Sequence, residues 1–209
     1  MYSGRCYYIA HFHPPLSRRA GCVDSATILL EGIILQPHLE TARLILRPFQ
    51  LDDADRVHEL VNDPLISDVT SNIPYPYPLI LAKEWIASHH PNWEKSTLAA
   101  FAITRKDNQT LIGAISLMGI NDEKAEVGYW LGREYWNQGY CSEACNAISL
   151  FGFNTLNLSV ISGRHLHRNP ASGKVLIKSG FQFIGSRHMK TKKRDHDELI
   201  DFYQLMKKV

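Results

Sequence analysis

Residues 136–144 read Trp-Asn-Gln-Gly-Tyr-Cys-Ser-Glu-Ala, and the segments on either side predict how they fold. The run before them, Ala125–Leu131, is apolar and strand-like, whereas Ala144–Phe153 has helical spacing. A turn between a strand and a helix exposes backbone N–H groups that lack an acceptor, and the helix dipole adds partial positive charge there. Gly139 allows a ligand to approach the backbone closely, and Ser142 offers a capping oxygen or a hydroxyl donor. The pattern indicates an anion site, with an ordinary strand-to-helix connection as the alternative.

The composition narrows the class of protein. The chain has 209 residues, of which 44% are hydrophobic and 21% are charged. These values predict one α/β domain with a full core and exclude a disordered or fibrous chain. The formal net charge of +2 is too small to favour nucleic-acid binding from charge alone. A nucleic-acid binder, which predicts strongly salt-dependent binding, is a rival hypothesis that would use Arg164, His165, His167 and Arg168.

The cysteines and the apolar runs indicate the cellular compartment in which the protein is expected. The cysteines are Cys6, Cys22, Cys141 and Cys145, and their spacing is not that of a disulfide framework. We interpret them as small core residues rather than metal ligands, so we expect no metal and a reducing, cytoplasmic setting. The longest apolar run, Ile28–Leu35, is too short to cross a bilayer, and the start of the chain lacks the layout of a signal peptide. We therefore expect no membrane partner.

Periodicity predicts an α+β (α/β) fold with the order strand, two helices, three strands, helix, strand, helix, two strands. The segment Asp63–Pro78 is rich in Pro and Tyr and cannot form one continuous helix. Asn169 is a suitable N-cap before Pro170, at the start of the last predicted helix. The predicted strands are Thr41–Phe49, Leu98–Thr104, Thr110–Met118, Glu123–Leu131, Leu158–His165, Phe181–Arg187 and Glu198–Met206.

Two motifs in this order resemble a known family. Gln138–Ala144 is similar to the pyrophosphate loop of the GCN5-related N-acetyltransferases (GNAT), nearest to the RimJ/RimL type that acetylates ribosomal-protein N-termini. Asn169–Ser172 and Lys178–Phe181 resemble the family's Asn-x-x-Ser and Lys-x-Gly-Phe segment. The resemblance begins near Leu39. It therefore implies a loosely packed extension over residues 1–37, with Thr27–Leu35 as its only element-like part, and an acetyltransferase domain over residues 38–209.

The resemblance implies a GNAT fold, in which a mostly antiparallel sheet is splayed at the cofactor site and flanked by helices. It also implies direct transfer of an acetyl group from acetyl-CoA to a primary amine in a ternary complex. Backbone N–H groups near Trp130 and Leu131 would bind the cofactor and polarise its carbonyl. The implied cofactor-binding residues are Trp130, Leu131, Gln138, Gly139, Tyr140, Cys141, Ser142 and Asn169. Lys174 is a further phosphate contact or a surface lysine.

The resemblance also suggests catalytic residues. Glu126 is the candidate base, with a solvated strand residue as the alternative. Many relatives carry a tyrosine general acid seven positions after the motif asparagine, where this chain has Leu176. Ser172 is the candidate donor to the departing thiolate instead. The missing tyrosine also motivates a second hypothesis, a non-catalytic acyl-CoA-binding module.

The acceptor is less defined by the sequence. Tyr75, Tyr77 and Trp85 lie in the region that the family places over the acceptor pocket, so we predict that they contact the substrate. We favour the α-amine at a protein N-terminus. A small amine, such as a polyamine, an aminoglycoside or an amino acid, is the alternative. The protein is expected to be a monomer or a homodimer.

Overall fold

The structure is a computed structural model that describes residues 35–191 and 193–208. An eight-stranded sheet runs through these residues. Residues 1–34, which contain most of the expected extension and all but the last residue of Thr27–Leu35, lie outside the described residues. The strands are β1 (Leu39–Glu40), β2 (Leu44–Arg47), β3 (Leu98–Arg105), β4 (Leu111–Asn121), β5 (Lys124–Leu131), β6 (Val160–Leu166), β7 (Gln182–Lys190) and β8 (Asp197–Met206).

Six α-helices of the described chain flank the sheet. They are α1 (Ala54–Val61), α2 (Pro64–Val69), α3 (Leu79–Ala87), α4 (His89–Glu94), α5 (Tyr140–Asn154) and α6 (Pro170–Lys178). Side chains alternate across a strand, so neighbours in sequence reach opposite faces. On β3, Phe101 belongs to the apolar cluster of Ile148 from α5, whereas Ala102 belongs to the cluster of Val57 from α1. Helices α5 and α6 therefore cover one face of the sheet, and α1 and α3 cover part of the other.

The strand order is β1-β2-β3-β4-β5-β6-β8-β7, and every pair is antiparallel except β5 with β6. This parallel pair opens part-way along its length. Its register runs only from Lys124 opposite Val160 to Val127 opposite Gly163. Beyond that point β5 continues to Leu131, while β6 remains paired with β8. The sheet is thus mostly antiparallel and splayed between β5 and β6, as predicted.

The structure adds elements to the sequence-based outline and moves the start of one helix. Strand β1 precedes the first predicted strand and is additional. Helix α5 begins at Tyr140, four residues before the start that its apolar spacing indicates, so Ser142 lies within its first turn rather than at its cap. The Pro/Tyr-rich segment contains one short helix, α2, because the Asp63 side chain accepts a hydrogen bond from the Leu65 amide and Pro64 fits the first helical position. Helix α4 follows α3 after one residue and is also additional. The Asn169 cap of α6 is confirmed.

Candidate functional site

Beyond Val127, no strand of the described residues pairs with the edge of β5 that faces β6. The Gly132 amide donates to the Ile112 carbonyl on β4 at 2.9 Å, while the carbonyl of Glu123, just before β5, accepts from the Val160 amide of β6 at 3.1 Å. Successive residues of a strand direct their backbone N–H and C=O groups alternately toward its two neighbouring strands. Since Gly132 bonds to β4 and Glu123 bonds to β6, the odd-numbered residues of β5 direct these groups toward β6. The amides of Tyr129 and Leu131 therefore face the gap, whereas the amide of Trp130, another predicted cofactor residue, faces β4.

The turn at the end of this gap has the conformation of an anion site. Gly139 precedes α5 with φ +81°, and no side chain of residues 35–191 or 193–208 caps this end of the helix. The amides of Tyr140, Cys141 and Ser142 lie in the first turn, where a helix offers them no carbonyl acceptor. Their dipoles add to partial positive charge at this end. The predicted phosphate-binding residues thus lie together beside the open part of β5.

Residues 136–139 of the turn contain no cationic side chain, but Arg43, which lies just before β2, places one beside it. The Arg43 guanidinium donates to the Gln138 carbonyl through Nη1 at 3.0 Å and to the Glu143 carboxylate through Nε at 2.7 Å. It lies 4.5 Å from the centre of the Tyr140 ring. A neighbouring cavity of about 400 Å³ is lined by Ala42, Arg43, Arg105, Lys106, Asp107 and Tyr140. Sequence reasoning missed Arg43 because 95 residues separate it from Gln138.

Glu126, the predicted base, lies on β5 where the gap opens. Its carboxylate forms an ion pair with the Arg164 guanidinium on β6, with Oε1 and Nε 3.0 Å apart. Both side chains project from the sheet face opposite α5, since Ala125 and Val127 of the same strand pack in the α5 cluster. The carboxylate is therefore accessible from the face that α5 and α6 leave open.

The start of α6 faces the same gap from the other side. The Asn169 side chain accepts from the Ser172 amide at 3.4 Å and donates to the Val69 carbonyl at 3.2 Å. The Tyr129 hydroxyl from β5 lies 2.9 Å from both the carbonyl oxygen and Oγ of Ser172. Burial raises the pKa of Tyr129, so this hydroxyl stays protonated at neutral pH. Leu176, at the family's tyrosine position, is buried in the core.

The two described cysteines near the turn are poor nucleophiles. Burial raises the pKa of Cys141 well above its ordinary value and the pKa of Cys145 to about 11. Both thiols are therefore protonated at neutral pH, which is consistent with a mechanism that forms no acyl-enzyme. Lys174 is exposed on α6.

The three predicted acceptor contacts have different environments. Tyr75 is 54% exposed, whereas Tyr77 is 8% exposed and packs in the α1–α3 cluster. The ring centre of Trp85 lies 5.0 Å from that of Phe49 and 6.3 Å from that of Trp130. Trp130 is on β5, so these aromatic rings extend from α3 to the strand that borders the gap. Tyr75 and the partly buried Trp85 thus retain surface that a substrate could meet, whereas Tyr77 is buried.

The residues of the nucleic-acid hypothesis do not form one cationic surface. Arg164 pairs with a carboxylate, as does His167, whose Nδ1 lies 2.9 Å from Asp201. His165 is buried, and its Nε2 lies 3.4 Å from the Tyr203 hydroxyl. Arg168 bonds both Asp68 and Glu198. Among residues 35–191 and 193–208, no cluster of three or more His, Cys, Asp or Glu side chains could hold a metal ion. None of the helices there is both long and apolar enough to span a membrane.

Residues 43–182 match the model of the GNAT acetyltransferase domain. The chain belongs to the GNAT acetyltransferase family. One GNAT relative, an uncharacterized N-acetyltransferase of Bacillus licheniformis named p20, is 30% identical over 167 residues, which cover 79% of this chain and 92% of p20. The chain is accordingly an acetyl-CoA-dependent N-acetyltransferase, which disfavours both the acyl-CoA-binding module and the nucleic-acid binder.

Solved GNAT structures share the fold. The acetyltransferase from Salmonella typhimurium that modifies the N-terminal serine of ribosomal protein L7/L12 superposes with a TM-score of 0.71 at 16% identity, covering 80% of this chain and 97% of that one. Spermidine N-acetyltransferase from Vibrio cholerae, in complex with CoA and spermine, superposes with a TM-score of 0.67 at 20% identity, covering 79% and 96%. At these identities the likeness establishes the fold, and the predicted GNAT architecture is confirmed.

Proposed function

We propose that this protein acetylates the α-amine at a protein or peptide N-terminus, by direct attack of the amine on acetyl-CoA within a ternary complex. The observation that carries the proposal is the position of the gap. It opens at Val127, next to Glu126, and leads along Tyr129 and Leu131 to the α5 turn. An extended thioester cofactor could thus lie with its diphosphate at the turn and its acetyl group near Glu126.

The residues around the gap suit the steps of the transfer. The gap-facing amides of Tyr129 and Leu131 would orient the pantetheine arm and polarise the thioester carbonyl. Glu126 would receive the proton of the attacking amine, directly or through water, after its pair with Arg164 opens. Holding both substrates in one geometry supplies much of the rate enhancement.

The charges on the open face favour a peptide over a polyamine. The Glu126 carboxylate is already paired with Arg164, and the guanidinium of Arg187 lies 4.5 Å from the Phe202 ring on the same face. The Lys193 ammonium, in the loop before β8, donates to the Ile73 carbonyl at 3.0 Å, beside the segment predicted to cover the acceptor. A polycation would need unpaired carboxylates here, so these side chains favour a neutral or acidic acceptor.

The remaining charges nearby are balanced. Arg168 and Arg194 share the carboxylates of Asp68 and Glu198, which ties α2 to the β7–β8 loop. The known acceptors of the two GNAT structures described above are a protein N-terminus and a polyamine. Between these classes, Arg164, Arg187 and Lys193 support the N-terminal amine.

The test is a matched acceptor panel. Purified protein and acetyl-CoA are incubated with peptides that begin with a free serine, with the same peptides acetylated at the N-terminus but containing lysine, and with spermidine. Mass spectrometry locates the acetyl group, and release of free thiol gives the rate. We expect acetylation only of the free α-amine. Preferred acetylation of spermidine would contradict the acceptor class, and coenzyme binding without turnover on any amine would contradict the proposed transfer.

A further inference from the structure

We propose that Tyr129 is a positioning residue for the acetyl-transfer step: it holds the Ser172 hydroxyl in place to donate a hydrogen bond to the departing thiolate of coenzyme A. The inference rests on the proposed function, and it takes Ser172, the thiolate donor that the family resemblance implies, as the group that meets the thiolate. It concerns a residue that the motif analysis did not single out, and it follows from a contact across the gap.

The donor and acceptor roles in this contact are constrained. A carbonyl oxygen can only accept, so the Tyr129 hydroxyl must donate to the Ser172 carbonyl at 2.9 Å. The same hydroxyl oxygen lies 2.9 Å from Ser172 Oγ. Before reaction the serine hydroxyl can therefore donate to the tyrosine oxygen. When a thiolate forms in the gap, the serine proton turns to the sulfur and the Tyr129 proton turns from the Ser172 carbonyl to Oγ, so a hydrogen bond from Tyr129 still holds Oγ in place.

The surroundings keep Tyr129 in the donor form. Burial raises the pKa of its hydroxyl, and this effect outweighs the hydrogen bond with Ser172, which lowers the pKa. A hydroxyl whose pKa is raised far above neutral is a weak proton donor in catalysis. It can hold a second hydroxyl in place.

The position of Tyr129 explains how the chain functions without the family's tyrosine at Leu176. That leucine is 1% exposed and packs so closely that a Cβ atom on Gly163 would lie 2.8 Å from its Cδ2 atom. The hydroxyl at the start of α6 instead comes from Ser172, with support from β5. Tyr129 is two residues beyond the last β5–β6 pair, so its ring lies where the strands diverge.

The step is balanced without an added reactant. The amine nitrogen forms a bond to the acetyl carbon, and the carbon–sulfur bond then breaks with its electron pair on sulfur. The thiolate accepts a hydrogen bond from Ser172 Oγ and takes its final proton from solvent. The proton lost by the amine goes to Glu126 or water.

The experiment uses a double-mutant cycle on the full chain. Tyr129→Phe, Ser172→Ala and the double variant are compared for kcat, for the KM of acetyl-CoA, and for the pKa of the thiol of bound coenzyme A, followed by ultraviolet absorbance of the thiolate. We expect each single change to lower kcat about tenfold with KM nearly unchanged, and to raise the bound thiol pKa by about one unit. The double variant should match Ser172→Ala, because Tyr129 acts only through the serine.

Tyr203→Phe is the matched control, since it removes a neighbouring buried hydroxyl that contacts His165 rather than Ser172. It should leave the bound thiol pKa unchanged. The inference is overturned if Tyr129→Phe keeps kcat within twofold of the original, if it weakens coenzyme binding by the same factor, or if its effect persists in Ser172→Ala. Should Tyr129→Phe fail to fold, 3-fluorotyrosine at position 129 supplies a stronger donor of similar shape, and an unchanged thiol pKa would then overturn the inference.

The thiol titration needs only bound coenzyme, so it separates two failures. No turnover on any amine, with the expected thiol shift, counts against the proposed function. Turnover with no thiol shift counts against the role of Tyr129.

Discussion

Gly139 offers the sharpest test of the diphosphate turn. Its φ of +81° lies in the left-handed region, where a residue with a Cβ atom costs about 1–2 kcal/mol. A Cβ atom built there would lie 3.4 Å from Nη2 of Arg43, which is the end of a flexible side chain. Gly139→Ala should therefore lose about 1–2 kcal/mol of unfolding free energy, or about 2–8 °C in Tm, with little steric conflict.

Gly139→Trp adds an effect on the ligand. An indole at this position would cover the first-turn amides of α5. Each hydrogen bond between an amide and a charged phosphate contributes about 1.5–3 kcal/mol, so the loss of two corresponds to a decrease in acetyl-CoA affinity of at least about 100-fold. Isothermal titration calorimetry with acetyl-CoA measures this change directly.

The control is Gly180→Ala at the end of α6. Gly180 has φ +85°, and a Cβ atom there would lie 3.6 Å from Leu205 Cδ1, so the backbone cost matches that at Gly139. This variant should lose similar stability and bind acetyl-CoA as before. Unchanged affinity in Gly139→Trp, once folding is verified by circular dichroism, would refute the assignment of the turn.

Three other changes test the base, a buried histidine and the core under α6. Glu126→Gln should lower kcat about 100-fold while the affinity for acetyl-CoA stays constant, and unaltered turnover at neutral pH would remove Glu126 from the mechanism. His89 is 5% exposed, neither ring nitrogen has a hydrogen-bond partner among the described residues, and burial lowers its pKa to about 4 from 6.5. Protonation thus favours the unfolded chain, and stability falls as pH decreases from about 6.5 toward 4. His89→Leu should therefore gain about 2 kcal/mol more at pH 5 than at pH 8 in urea unfolding, whereas equal gains would contradict the pKa assignment. Leu176→Tyr should lower the free energy of unfolding in urea by about 1–3 kcal/mol, because the larger ring overpacks against Gly163, and it should not raise kcat. Higher activity would show that the tyrosine position is usable.

Much of the fold was predictable because its signals are local. The Asn169–Pro170 cap, the alternation that produced β3 to β5, and Gly139 at a left-handed position each depend on neighbours within a few residues. The predicted elements therefore occur in the predicted order, with β1, α2 and α4 added to them, and the motif at the α5 turn is typical of the family. The start of α5 was placed too late because its first turn is not apolar, and apolar spacing was the signal used.

The sequence by itself determined the family, the order of the elements and the turn that suits a diphosphate, since these follow from periodicity and backbone conformation. Only the tertiary structure decided which side chains meet at the gap. Arg43 reaches the turn, Arg164 pairs with Glu126, and Tyr129 contacts Ser172 across 43 residues of chain. These contacts depend on strand register and on the divergence of β5 from β6, and neither leaves a periodic signal in the sequence.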